Sequence, residues 1–461
     1  MATKIVLLAI FVSLLASAAY GQRLQTRRMS QARQCRLNRL TGSQPSQRIE
    51  SEGGVTELWD EYEDQFQCAG VAPMRNTLRP NALSLPNFHP SPRLVYIQQG
   101  EGLLSINIPG CAETFHSEPS MGMRAGRGRE EEEEEEERGR SSGRRDLHQK
   151  VLRIRQGDII ALPAGVSHWC FNDGNEELVA VSINDLNNQA NQLDQRFRAF
   201  YLAGGVPKRG QQSEQTRQNF QNILRAFDSN LLAEAYNIPE DLVRRLQRED
   251  DRGLIVNARH GMSVIRPDEN EELETDQSSS NGLEETICSF RFHHNMNNRR
   301  EADVYSRQAG RVNIVNQHKL PILRHLDLSA ERGNLLPSAM HTPYWSMNGH
   351  NIVYVIRGDA QVQVVGSNGQ TVMNDRVNQG EMFVVPQYFA ATFKAGRNGL
   401  EYVAMKTTSL PMKNPLAGYT SVIRAMPLQV LTNSYQMSPN EAQQLKTNRG
   451  GQTFLLSPRN N

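Results

Sequence analysis

Short apolar runs separated by turn-forming residues dominate the chain. Leu94 to Ile97 and Leu103 to Ile106 flank a glycine-containing turn, Gln98 to Gly102. The same layout returns in Ile352 to Ile356, the turn Arg357 to Asp359, and the alternating stretch Ala360 to Val364. Successive side chains on a strand face opposite sides, so short runs and alternations of this kind predict strands. Helical spacing is confined to Phe220 to Tyr236 and Pro239 to Leu246, with a weaker counterpart at Asn440 to Leu445. The pattern predicts a mainly β protein with short helical arms.

The pattern also repeats. Val95-Tyr96 aligns with Val353-Tyr354, and Gly157-Asp158 with Gly380-Glu381. Leu202-Ala203-Gly204 matches Leu416-Ala417-Gly418, and the junction Tyr236 to Pro239 matches Tyr435 to Pro439. A chain of 461 residues exceeds the roughly 250 to 300 residues at which single cores stop growing. Two copies of one strand-rich unit, each closed by a helical arm, account for the length.

Polar tracts interrupt this frame. Glu130 to Glu137 lies between Gly/Arg-rich flanks, and 268–281 combines acids with Ser278, Ser279 and Ser280. Like charges repel and remain solvated, so 116–146 and 268–281 are expected as disordered surface loops. At the start, Lys4 precedes the apolar run Ile5 to Leu15, followed by small residues up to Gly21. This predicts a signal peptide over 1–21, cut between Gly21 and Gln22. The run is too short to span a bilayer, which needs about 20 apolar residues. No later stretch is apolar enough, so no membrane partner is expected.

Charge changes the picture once the chain is divided after Asn281. Residues 282–461 hold 18 Lys and Arg against 11 Asp and Glu, leaving 33 against 39 for the first part. The acidic and basic parts attract each other. The basic charges are scattered among apolar strands, which argues against a nucleic-acid partner. The five cysteines are Cys35, Cys68, Cys111, Cys170 and Cys288. An odd count allows at most two bridges, with pairing left open, and no spacing resembles a zinc site.

Gly157, Pro163, Gly165, His168 and Asn172 stand in the spacing G-x5-P-x-G-x2-H-x3-N, which is similar to the second motif of the cupin family. The first motif, H-x-H-x3-E-x6-G, ends at Gly100 and places Asn87, His89 and Arg93 at its three ligand positions. Of four ligands only His89 and His168 remain, as vestigial metal positions. In the second copy the counted positions hold Trp345, Met347 and Asn351, with Ala391 where His168 stood. Guanidinium has no lone pair to donate to a metal. No catalytic residue, metal or other cofactor is therefore expected. A metal-dependent cupin enzyme and a small-ligand carrier are the competing readings.

Asn281-Gly282-Leu283-Glu284-Glu285-Thr286-Ile287-Cys288, together with Pro109-Gly110-Cys111-Ala112-Glu113, resembles the processing-site region of the 11S, legumin-like seed storage globulins. The resemblance runs from Cys35 to Pro458. It implies two jelly-roll cupin barrels, about 40–245 and about 295–450, each followed by a helical arm. It implies cleavage between Asn281 and Gly282 by an asparaginyl endopeptidase, giving an acidic chain 22–281 and a basic chain 282–461. The bridges implied are Cys35–Cys68 and Cys111–Cys288, leaving Cys170 as a buried thiol. A homo-oligomer is implied, trimeric before cleavage and hexameric after. The protein would pass through the endoplasmic reticulum to the storage vacuole of the seed, as a nutrient reservoir and potential food allergen.

Overall fold

The computed structural model describes residues 35, 37, 39–111, 115–116, 147–149, 151–206, 219–248, 251–259, 262 and 288–458. The tract 116–146 apart from His116, the whole of 268–281, both cleavage positions and the leader lie outside the described residues. Among the described residues every ladder between two strands is antiparallel, with one isolated parallel bridge between Tyr201 and Asn222, as expected for hairpin-rich chains rather than βαβ units.

The first barrel is built from two sheets. One runs in the order Gln47–Ser51, Gly54–Leu58, Val71–Leu78, Leu178–Asp185, Arg93–Gln99, Asp158–Leu162 and His293–Asn295. The other runs Phe200–Tyr201, Ala82–Phe88, Ser167–Phe171, Glu101–Asn107 and Val151–Arg155, with Ile255–Asn257 paired to Ala82–Phe88. Gly100 links two of these strands with φ 80°, and Gly157 adopts φ 92° before the next. A Cβ at Gly157 would collide with the Asn297 side chain, so both backbone hand and space require glycine.

The second barrel is a ten-stranded sheet around Asn351–Val365 and Ala390–Lys406. The expected turn Arg357 to Asp359 lies inside one strand of 15 residues. Gly358, at φ 80°, marks a register irregularity against Ala390–Lys406. A bulge bends a strand without ending it, so one chain segment serves both faces of the barrel.

The helical stretches also divide more finely. Phe220 to Tyr236 contains a short 3-10 turn, Ile223–Ala226, then a helix Ser229–Tyr236 that restarts because the Asp228 carboxylate accepts from the backbone N–H groups of Asn230 and Leu231. Glu240–Leu246 completes the first arm. The second arm has Val422–Ala425, Leu428–Tyr435 and Pro439–Thr447, the last entered through a capping box between Ser438 and Glu441.

The two barrels pack through one sheet face each. Tyr96 and Ile97 of the first share a core with Ile352, Tyr354 and Met405 of the second. At the edge of this contact Arg332 donates to the Tyr96 hydroxyl at 3.0 Å and Tyr354 donates to Gln98 at 2.9 Å. The halves also exchange chain. Leu37 and Leu40 lie in the core of the second barrel, whereas His293–Asn295 adds a strand to the first, opposite Asp158 to Ile160.

Candidate functional site

Strand alternation turns Arg93, Ser182 and Met74 toward the same interior. Met74 lies opposite Ser182, which in turn lies opposite Val95. The Arg93 guanidinium donates to the Ser182 hydroxyl from Nε (3.0 Å) and Nη2 (2.8 Å), and Nη2 also reaches the Met74 sulfur at 3.3 Å. Nη1 lies 3.3 Å from His89 Nε2. Arginine can only donate, so Nε2 accepts and the imidazole proton sits on Nδ1, which donates to the Arg198 carbonyl at 3.1 Å. Burial, then the Arg93 charge and His168, holds His89 well below the usual histidine range.

His168, opposite Asn87 and Ile106, stacks on His89 with ring centroids 5.9 Å apart. Burial and the Arg93 charge push it down to about 3. Its Nδ1 lies 3.4 Å from the Val166 carbonyl, leaving Nε2 with a lone pair. Arg93, His168, Asn87, Cys170 and Tyr201 line a cavity of about 50 Å³ with apolar walls that include Leu104. Cys170 departs from the expectation of a buried residue, since the residue as a whole is half-buried. Its thiol is nevertheless pushed up to about 12, by burial and then by Asp173.

The structure thus brings both vestigial histidines together, but not as metal ligands. His89 is used by Arg93 and Arg198, which leaves one imidazole lone pair at His168. Among the described residues no group of three His, Cys, Asp or Glu side chains is placed to hold a metal. A cupin metal site needs several imidazoles and a carboxylate. The residues present do not fit one.

The second interior differs from its sequence reading. Trp345 is half-buried and Met347 exposed. Tyr344, fully buried, stands opposite Ala391, as Asn87 stands opposite His168. Register irregularities in both strands move the correspondence by one residue, which counting back from a glycine does not register.

Around Tyr344 lies an ion cluster that sequence reasoning missed. Glu331 accepts from Lys413 at 2.6 and 2.9 Å and from the Tyr402 hydroxyl at 2.7 Å, and lies 3.1 Å from the Lys406 ammonium. Lys406 also donates to Asn351 at 2.7 Å, the residue at the counted position of Arg93. Lys413 lies 4.4 Å from the centre of the Tyr344 ring and 3.5 Å from His341 Nε2. Burial alone would raise the Glu331 carboxyl, but Lys406 and Lys413 outweigh it and hold it well below the usual range. Burial lowers Lys406 to about 7 despite Glu331, and burial with Lys413 lowers His341 to about 3. The available signal was period two, which puts Tyr402, Ala404 and Lys406 on one face of the apolar stretch that follows Glu401 in their strand.

Sulfur–sulfur bonds join Cys35 to Cys68, with Cα atoms 4.5 Å apart, and Cys111 to Cys288, at 5.6 Å. The second bond spans 177 positions and links the two halves.

Two antiparallel barrels of one topology, each with a helical arm, define a two-domain cupin. The cupin family model matches residues 40–208 and 294–443. The chain is 62% identical to 11S globulin seed storage protein 2 of Sesamum indicum, over 98% of each chain. It is also similar to the crystal structure of procruciferin, an 11S globulin from Brassica napus (37% identity, TM-score 0.80, 93% of this chain and 99% of that one). The crystal structure of the coconut allergen cocosin is similar as well (39% identity, TM-score 0.79, 92% of this chain and 100% of that one). The chain belongs to the 11S globulin family of seed storage proteins.

Proposed function

We propose that this globulin is a non-catalytic reserve that is cut between Asn281 and Gly282 by an asparaginyl endopeptidase and stored in the seed vacuole as a homo-oligomer. One observation carries the cut: Cys111–Cys288 brackets the proposed position, so both products stay linked. The chain exchange of Leu37, Leu40 and His293–Asn295 supports the same reading, because each product completes the other's barrel. The lack of a metal-competent donor set among the described residues supports a non-catalytic role. Among the described residues no helix is long and apolar enough to cross a membrane.

Assembly is read from the arms. Leu231, Tyr236 and Leu242 in the first and Val430, Tyr435 and Leu445 in the second are exposed, and paired apolar arms suit head-to-tail closure of a trimeric ring. Two trimers would then stack into a hexamer once the acid-rich segment before Asn281 is freed. Asn281→Gln should give one band on reduced gels and a trimer by sedimentation, where the unaltered protein gives two bands and a hexamer. A normal hexamer from the uncut variant would refute the coupling of cleavage to assembly. The allergenicity named for cocosin carries over as a potential property of this chain.

A further inference from the structure

Among the described residues, the first interior holds a buried cation with nothing of opposite charge beside it. Arg93 is 6% exposed, and its contacts are Ser182, Met74 and neutral His89. A buried charge without a counter-charge is costly. The second barrel answers the same problem with Glu331. Glu331 lies opposite Ala404, itself opposite Val353. Met74 lies opposite Ser182, itself opposite Val95. Since Val95 and Val353 are equivalent in the repeat, Met74 stands where the twin barrel has its carboxylate.

The donor inventory leaves room for a replacement. Of the five N–H groups of a guanidinium, four are directed at Ser182, Met74 and His89. The remaining one, on Nη1, has no acceptor among the described residues. The Tyr201 hydroxyl, lining the same cavity, likewise has no hydrogen-bond partner there. Asn87 Oδ1 is buried and unpartnered, and His168 Nε2 carries a lone pair. These two acceptors require a donor, which an accompanying water supplies. The cavity of about 50 Å³ has space for both, since one water needs roughly 10–15 Å³.

We propose that the first barrel is a binding site for one small monovalent anion, of chloride, formate or acetate size, held by Arg93 and Tyr201 in place of the carboxylate that Glu331 supplies in the second. The site is selective by size and charge. A divalent oxyanion such as sulfate would carry more charge than one cation balances.

The test uses the full chain in sodium gluconate, whose anion is too large for the cavity, at constant ionic strength. Titrating formate, acetate or chloride should raise the thermal midpoint saturably, with one anion bound per chain by calorimetry, and sulfate should not. The tightest of the three identifies a carboxylate or a halide as the occupant. Met74→Glu, which installs an internal counter-charge, and Arg93→Met should each abolish the anion dependence. An equal midpoint shift in Arg93→Met, or no saturable shift in the unaltered protein, would overturn the proposal. Bromide co-crystals of the unaltered protein decide the matter if neither variant folds: an anomalous peak within hydrogen-bond reach of Arg93 Nη1 supports the site, and its absence at saturating bromide refutes it.

Discussion

In the first barrel Arg93 lies against His89, Ser182 and Met74, beside a cavity. In the second, Lys406 and Lys413 surround Glu331, with Tyr402, Tyr344 and His341 filling the space around them. Both interiors contain a histidine whose Nδ1 faces a backbone carbonyl and whose Nε2 faces a cation. They differ in the carboxylate. The duplicated fold has kept its strand frame while its two interiors reached different electrostatic solutions. What the frame demands is that buried polar groups find partners, not that any ligand set survive.

The sharpest way to break the comparison is Glu331→Gln. Glu331 and Lys406 side chains are each 2% exposed, so removing the carboxylate leaves Lys413 and Lys406 without their counter-charge. Breaking a buried pair from one side costs about 3–5 kcal/mol, and denaturant unfolding should show a loss of that order. A loss as small as an exposed pair gives would mean that water reaches the cluster.

The histidines give the next largest effect, in acid. His168 and His341 are both held near 3, whereas an unfolded histidine titrates near 6.5. Between those values the unfolded chain binds more protons, so stability falls as pH drops through the window and is unaffected above it. Each histidine contributes a slope of about 1.4 kcal/mol per pH unit. His168→Phe should remove one such share from the pH dependence measured between pH 4 and 6. An unchanged slope would place His168 in contact with solvent.

Much of this architecture was legible before any coordinates. Gly157 to Asn172 named the fold, the repeat gave two strand-rich units, and the resemblance made each of them a barrel. The cluster around Glu331 was not legible, because its members come from strands distant in sequence and Lys406, read alone, marks the end of a strand. The bulge displacing Trp345 was hidden for another reason: register is set by backbone pairing, and a single inserted residue leaves no mark in a spacing count.

The arms extend the comparison to the surface. Pro239 enters its helix with no side-chain cap, while Ser438 forms a capping box with Glu441. Ser438→Ala should cost about 1 kcal/mol, read as increased hydrogen exchange in Pro439–Thr447 with the rest of the barrel unaltered. Protection unchanged there would mean that packing through Ala442 holds the helix without its cap.

Arg93→Met gives the smallest expected effect and the most informative one. Unlike Glu331→Gln, it strands no opposite charge, because Arg93 has no carboxylate partner among the described residues. Methionine is apolar and flexible enough to occupy the stem's path beside Met74. The relief of burying a guanidinium offsets the lost hydrogen bonds at Ser182 and His89, and exchanging a buried charge for a hydrophobe is often neutral. In gluconate, unfolding free energy should stay within about 1 kcal/mol of the unaltered protein. A loss as large as that of Glu331→Gln would show that the first interior depends on its cation as strongly as the second does on its anion, and the two barrels would then be variants of one electrostatic design.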